Sequence, residues 1–249
     1  MTVRTANLGF PRMGTHRQLK KALESYWSGE LTAKALNDAA RAIRRQNWEF
    51  QRDLGVDIIP SNDFSLYDHV LDTAVMVGAV PARFGHAGDL VSLDTYFAMA
   101  RGAKTVTAME MTKWFDTNYH FIVPELEADQ QFSLGSTKVI DEFVEAKALG
   151  IATRPVLLGP VSFLLLGKAQ TPGLEPLSLL DRVLPIYASV LERLVTAGAT
   201  SVQIDEPVLA LDLSQAAAHA FEQAYSALAR AAGGMSICLA TYFGSLGEN

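Results

Sequence analysis

The sequence has 249 residues and a net charge of −6, with 49% apolar and 19% charged residues. The negative charge argues against nucleic acid as a partner, because no overall basic field attracts phosphates, and the single cysteine, Cys238, excludes an internal disulfide. No apolar run is long enough to span a bilayer and residues 1–10 contain no signal-like segment, so we predict a cytoplasmic protein that does not bind membranes.

The first half of the chain alternates short apolar runs with helical stretches. Thr32 is a predicted N-cap of a long helix and Gly55 a predicted stop signal for it. The predicted elements of this half are a strand at 6–10, helices at 17–27 and 32–54, a strand at 56–60, helices at 68–77 and 93–100, and a third strand within 113–121.

The second half alternates more regularly. Its predicted elements are a helix at 136–149, a strand at 155–158, a helix at 177–197, a strand at 202–204, a helix at 213–232 and a strand at 236–242. Repeated strand and helix units indicate parallel strands joined by right-handed crossovers. A barrel and a doubly wound sheet both fit this pattern, but no G-x-G-x-x-G motif supports a dinucleotide site. Six strands are two fewer than a (β/α)8 barrel needs, so we expect an α/β fold of the TIM-barrel type that is incomplete in this chain.

A first cluster of functional candidates lies where the first helix begins. Residues 8–14 form a Gly- and Pro-rich turn before it, and helix N-termini favour anions. Arg17, Lys20 and Lys21 share one face of its first turns because they are spaced by three and four residues. A ligand with several carboxylates would suit this face. The alternative is a solvated helix surface on which Arg17 or Lys20 pairs with Glu24.

A second cluster spans residues 110–120. Lys113, Asn118 and His120 would lie near the carboxyl end of a barrel strand, where barrel sites form. The alternative is a core strand with buried aromatic residues and polar groups at its end.

A third cluster is the pair Asp205 and Glu206, which follows an apolar strand. Catalytic acids are common at this edge of barrels. Successive strand residues point to opposite sides, however, so the two carboxylates need not act together, and a structural ion pair or cap is an equal alternative. The five histidines and Cys238 show no zinc-binding spacing.

Five segments resemble cobalamin-independent methionine synthases, in the family's order along nearly the whole chain. They are Leu8-Gly-Phe-Pro-Arg-Met-Gly14, Tyr67-Asp-His-Val70, the run from Glu110 to His120, Pro155-Val-Leu-Leu-Gly-Pro160 and Gln203-Ile-Asp-Glu-Pro207. The resemblance implies transfer of a methyl group from 5-methyltetrahydropteroyl-polyglutamate to homocysteine, without cobalamin. It also implies paired (β/α)8 barrels with the active site between them.

The same resemblance assigns roles to parts of the chain. Residues 1–249 would be the N-terminal barrel, truncated before its last strands. Zinc and the homocysteine pocket would belong to a C-terminal catalytic barrel outside this chain, so this chain alone should be inactive. The N-terminal barrel would bind the folate's polyglutamate tail through residues at the start of the first helix and in the second cluster: His16, Arg17, Gln18, Leu19, Lys20 and Lys113. The family usually has a basic residue where His16 stands and Glu where Gln18 stands.

Two other functions fit the sequence. One is a folate-binding or structural remnant without catalysis. The other is an independent barrel enzyme that uses Asp205 or Glu206 as acid or base, which predicts a closed pocket around residues 203–207.

Overall fold

The computed structural model describes residues 3–249, so residues 1 and 2 of the predicted domain lie outside the described range. Within that range the α-helices are α1 Gln18–Trp27, α2 Ala33–Asp53, α3 His69–Met76, α4 Leu93–Arg101, α5 Lys138–Ala148, α6 Pro160–Leu166, α7 Leu180–Ala197 and α8 Gln215–Ala231. The strands are β1 Ile59–Ser61, β2 Met111–Lys113, β3 His120–Ile122, β4 Glu125–Leu126, β5 Thr153–Leu158, β6 Lys168–Ala169, β7 Ser201–Asp205 and β8 Ser236–Ala240. None of the helices in residues 3–249 has the length and apolar character needed to cross a membrane.

The centre of the fold is a four-stranded parallel sheet in the order β1-β5-β7-β8. Leu158 is paired with Asp205, and Asp205 with Ala240, so the carboxyl ends of three strands meet at one edge. Helices α5, α7 and α8 alternate with these strands along the chain. The α/β fold of an incomplete barrel is therefore confirmed.

The predicted first strand, residues 6–10, contributes one parallel bridge, between Ala6 and Ile58, instead of a full strand. After that bridge the backbone bonds to side chains. The Phe10 N–H donates to the Asp63 carboxylate over 2.7 Å, and the Leu8 carbonyl accepts a hydrogen bond from the Gln203 amide. The segment thus lies beside β1 but leaves the sheet ladder early.

The predicted third strand within 113–121 does not join the parallel sheet, so its place in the fold was predicted wrongly. Residues 111–122 form an antiparallel hairpin, β2 and β3, outside the parallel sheet. The Trp114 N–H donates to the Tyr119 carbonyl over 2.7 Å, the Thr117 N–H donates back to the Trp114 carbonyl, and Phe115 takes the left-handed conformation with φ 50°. This tight turn reverses the direction of the chain, and the hairpin adds no strand to the parallel sheet. All of residues 62–152 therefore form one excursion between β1 and β5, which are neighbours in that sheet.

Helix boundaries follow local capping signals. The Thr32 hydroxyl accepts a hydrogen bond from the Ala35 N–H and begins α2. Gly55 has φ 79°, the left-handed conformation that favours glycine just after a helix. The Asp68 carboxylate accepts from the N–H groups of Val70 and Leu71 and begins α3. These predicted boundaries are confirmed to within a few residues.

Helix α7 buries the apolar stripe that its spacing predicts. Leu184, Tyr187 and Leu191 are all buried, and each such side chain contributes about 1.5–3 kcal/mol. The Tyr187 hydroxyl also donates a hydrogen bond of 2.8 Å to the carbonyl of Leu158. This bond fixes the carboxyl end of β5, which forms part of the candidate site.

Candidate functional site

The turn before α1 is held by bonds between neighbouring residues. The Arg17 N–H donates to the Gly14 carbonyl over 3.1 Å and the Leu19 N–H donates to the Met13 carbonyl over 3.2 Å. Gly14 has φ 74°, and a Cβ there would lie 2.3 Å from the Gln18 amide oxygen. That oxygen accepts a hydrogen bond from the His16 N–H over 2.9 Å. The side chain of Gln18 therefore orders the turn, and position 14 requires glycine.

The predicted tail-binding residues around this turn differ in exposure. His16, Arg17 and Lys20 are exposed, Gln18 is half-buried, and Leu19 is fully buried in the core. Arg17 lies in the left-handed conformation with φ 58° and its side chain makes no cap hydrogen bond. Lys20 lies 3.5 Å from the Glu24 carboxylate in a solvent-exposed pair. The turn thus presents cationic side chains to solvent, while Leu19 anchors the helix beneath them.

The hairpin β2–β3 presents a second set of predicted residues. Lys113 is paired with His120 across the two strands, and both are exposed, as is Asn118 in the turn. The His120 Nδ1 lies 3.1 Å from the Asn118 carbonyl oxygen. Trp114, by contrast, is buried. The hairpin therefore displays its polar residues and inserts an aromatic anchor into the core.

Arg12 joins the two sets of residues, a role that the sequence motifs alone did not indicate. Its guanidinium donates to the Tyr119 hydroxyl over 3.1 Å and to the Tyr67 carbonyl. The turn before α1 and the tip of the hairpin are thus held against the start of α3. The sequence signal was present, because Arg12 lies within the Gly- and Pro-rich segment at residues 8–14.

A cavity of about 180 Å³ opens beside Arg12, among segments that follow the parallel strands. Most of its polar wall could not be predicted from the sequence, because the residues come from separate parts of the chain: Asn62, Asp63, His69, Asp72 and Lys138. The His69 imidazole packs edge-on against Trp114, with ring centroids 4.5 Å apart. Its Nε2 is buried without a hydrogen-bond partner in the described residues, and burial lowers the pKa of His69 to about 4.

Asp205, the last residue of β7, and Glu206, which follows it, point to opposite sides, as strand geometry predicts. Asp205 lines the cavity and accepts a hydrogen bond of 2.8 Å from the Gln203 amide. Burial raises the pKa of Asp205 to about 6, against the opposing effects of hydrogen bonds from Gln203 and Tyr242.

Glu206 is fully buried on the other side. Its carboxylate accepts from the N–H groups of Ser162, over 2.7 Å, and Val161, over 3.4 Å, and from the Tyr225 hydroxyl, over 3.1 Å. Burial raises the pKa of Glu206 to about 7. The residue therefore caps the first turn of α6, which is the structural alternative that the sequence left open.

The basic residues of α2 are paired with acidic residues. Arg44 lies 2.6 Å from Glu145 and 3.4 Å from Glu142, and Arg45 lies 2.9 Å from Glu49. Lys138 bonds to the Asn62 amide oxygen over 2.8 Å and lies 3.3 Å from Asp72 and 3.2 Å from Glu142. The pairs of Arg44 and Lys138 form a largely buried network between α2, α3 and α5, whereas the Arg45–Glu49 pair is exposed.

Within residues 3–249 no group of three or more His, Cys, Asp or Glu residues is arranged to hold a metal ion.

Residues 4–249 match the family described as Cobalamin-independent synthase, N-terminal domain. Among curated relatives, the chain is 58% identical to the 5-methyltetrahydropteroyltriglutamate–homocysteine methyltransferase of Salinibacter ruber, over 98% of this chain and 33% of that protein. It is 56% identical to the enzyme of the same name from Caulobacter vibrioides, over 100% of this chain and 34% of that protein. The chain thus spans about a third of the length of these relatives.

Two solved structures share the fold at low sequence identity. The putative vitamin-B12 independent methionine synthase of Listeria monocytogenes superposes with a TM-score of 0.61 at 14% identity, over 95% of this chain and 63% of that chain. A B12-independent methionine synthase from a Shewanella species, solved in complex with selenomethionine, gives a TM-score of 0.58 at 16% identity, over 85% of this chain and 53% of that chain. At these identities the likeness concerns the fold alone.

Proposed function

Because the chain belongs to the cobalamin-independent methionine synthase family and matches its N-terminal domain, we propose that it serves methyl transfer from 5-methyltetrahydropteroyl-polyglutamate to homocysteine. In this proposal the chain binds the glutamate tail of the folate, and a C-terminal catalytic barrel that binds zinc and homocysteine supplies the chemistry. The names of the relatives support the reaction, since they specify a methyltetrahydropteroyltriglutamate donor and a homocysteine acceptor.

The observation that carries tail binding is the exposed cationic start of α1. Arg17 and Lys20 are three residues apart on one helix face, and the helix N-terminus adds a partial positive charge. A polyglutamate tail is a flexible series of carboxylates, and each charge-assisted hydrogen bond to it contributes about 1.5–3 kcal/mol where water is partly excluded. The Arg17 guanidinium makes no cap bond that would have to break first.

The hairpin supplies the second half of the proposed tail site. Lys113 is exposed on β2, and Arg12 ties the hairpin tip to the turn before α1 through Tyr119. In this proposal a tail of several glutamates contacts Arg17 and Lys113 in succession. The Lys20–Glu24 pair is exposed and costs little to separate, since such pairs contribute at most about 1 kcal/mol.

Titration calorimetry with methylated folates that carry one or three glutamates tests this proposal. Affinity should rise with tail length, because each added carboxylate meets another cation. Arg17→Ala and Lys113→Ala should each weaken binding of the triglutamate by about tenfold or more and reduce the preference for the longer tail. Lys34→Ala is the matched control, because Lys34 is exposed at the start of α2 and, among residues 3–249, forms an ion pair only with Asp38.

Equal affinity for one and three glutamates, or triglutamate binding unchanged in both variants, would refute tail binding at this site. The purified 249-residue chain is also expected to transfer no methyl group by itself, and turnover without a second polypeptide would contradict the proposed division of labour. The alternative of an independent enzyme that uses Asp205 or Glu206 as acid or base loses support for Glu206, because that carboxylate is committed to the cap of α6.

A further inference from the structure

The cavity beside Arg12 contains unpaired charges of both signs. It is lined by Arg12, Asp63, Asp72, Lys138 and Asp205, among others. Lys138 and Asp72 lie 3.3 Å apart and form an ion pair. Across residues 3–249, no ion pair includes Arg12, Asp63 or Asp205. The cationic Arg12 and the anionic Asp63 and Asp205 therefore line the same cavity, and none of them is held in an ion pair.

The Arg12 guanidinium keeps donors free. A guanidinium has five N–H groups, and Arg12 uses one at the Tyr119 hydroxyl and one at the Tyr67 carbonyl. Both acceptors are neutral, and they fix the plane of the group at the cavity wall. The remaining N–H groups can bind a carboxylate, for which the guanidinium fork is the matching shape.

The two carboxylates keep acceptors free. Asp63 receives the Phe10 N–H at one oxygen, and Asp205 receives the Gln203 amide and the Tyr242 hydroxyl. A carboxylate has about four acceptor sites. Burial raises the pKa of both groups and outweighs the lowering effects of Lys138 on Asp63 and of Arg154 on Asp205. A cationic ligand group would remove that penalty.

From this arrangement we propose that the cavity binds a small α-amino acid as a zwitterion. Its carboxylate lies at Arg12 and its ammonium group lies toward Asp63 and Asp205. The apolar wall formed by Met76, Val139 and Leu157 receives the side chain. A cavity of about 150 Å³ admits benzene, so about 180 Å³ suits an amino acid with an apolar side chain of a few heavy atoms. This site is separate from the proposed tail site and does not depend on it.

Titration calorimetry of the 249-residue chain with three probes tests the proposal. L-Methionine carries both charges, 3-methylthiopropylamine lacks the carboxylate, and 4-methylthiobutanoate lacks the ammonium group. Methionine should bind, and each of the other probes should bind about tenfold or more weakly, because each loses a charge-assisted hydrogen bond. Equal binding of all three, or no heat from methionine at about 10 mM, would overturn the proposal, since a site with a dissociation constant on the order of 1 mM is then nearly saturated.

Two variants locate the binding. Asp63→Asn and Asp205→Asn keep the side-chain shape and remove the charge, so each should weaken methionine binding by about tenfold or more. Asp212→Asn changes an exposed carboxylate outside the cavity and should leave binding unchanged. Wild-type affinity in both cavity variants would place the ligand elsewhere and refute the site. If either variant fails to fold, the comparison of the three probes still decides.

The two proposals fail separately. Arg17→Ala should weaken triglutamate binding and leave methionine binding unchanged, whereas Asp205→Asn should do the reverse. Methionine binding without any folate binding would refute the proposed function and retain the amino-acid site.

Discussion

Replacing Gly159 with alanine tests the contact between two sequence segments that are distant along the chain. A Cβ at position 159 would lie 2.0 Å from Oε1 and 2.1 Å from Cδ of Glu206. The backbone angles at Gly159, φ −71° and ψ 152°, are open to any residue, so the steric overlap sets the cost. Overpacking of a buried site costs about 1–3 kcal/mol and occasionally more, and we expect about 3 kcal/mol because the overlapping atoms belong to a carboxylate fixed by three hydrogen bonds.

A double-mutant cycle separates this overlap from other effects. Glu206→Ala alone should also destabilise the protein, because the buried N–H groups of Val161 and Ser162 lose their acceptor, at about 1–3 kcal/mol each. In the double variant the alanine at 159 meets no carboxylate. The combined loss should therefore fall short of the sum of the single losses by at least about 1 kcal/mol.

Urea unfolding followed by tryptophan fluorescence measures each free energy of unfolding, with the buried Trp48 and Trp114 as reporters. Gly244→Ala is the control, since a Cβ there meets only Ala210, at the ordinary contact distance of 3.6 Å. Additivity of the two single losses to within about 0.5 kcal/mol would refute the steric argument.

Three further predictions use the same unfolding assay. Asp68→Ala should cost about 2–4 kcal/mol, because it leaves the N–H groups of Val70, Leu71 and Ile122 without their acceptor; a cost equal to that of the exposed Asp212→Ala would contradict this role. Arg44→Ala should cost about 3–5 kcal/mol by leaving the buried Glu142 with one cation fewer. Arg45→Ala, in an exposed pair with Glu49, should cost less than about 1 kcal/mol. Losses of similar size in the two variants would show that burial does not strengthen the ion pairs of Arg44. Burial raises the pKa of Glu206 from 4.5 to about 7, so between those pH values the unfolded chain releases a proton that the folded chain retains, and stability falls as pH rises. Glutamine has no such proton, so the stability of Glu206→Gln relative to wild type should increase by about 3 kcal/mol from pH 4 to pH 8, and a pH-independent difference would disprove the shift.

Signals within a few residues predicted much of the fold. Thr32, Gly55 and Asp68 mark helix ends because their roles depend on nearby N–H and C=O groups. The apolar stripe of α7 was predicted for the same reason, since residues one turn apart share a face. Features that depend on local geometry could therefore be predicted from the sequence alone.

Long-range contacts account for what the sequence did not predict. The aromatic residues within 113–121 fit a core strand, but the hydrogen bond from the Trp114 N–H to the Tyr119 carbonyl closes a hairpin instead. Alternation along β7 predicted that Asp205 and Glu206 diverge, but not that Glu206 caps α6. The cavity wall escaped detection because Asp63, His69 and Lys138 come from three separate segments and share no motif.

The excursion at residues 62–152 bears on the order in which the chain folds. Strands β1 and β5 are neighbours in the sheet, yet this whole segment separates them along the chain. Contacts between distant residues require the entropy of a long loop to be lost first. By contrast, β7 and β8 are joined by a crossover through α8, and β5 and β7 by a segment that contains α6, β6 and α7 and is less than half as long. We therefore expect the carboxy-terminal units to acquire structure early, and the junction of β1 with β5 to close among the last events of folding.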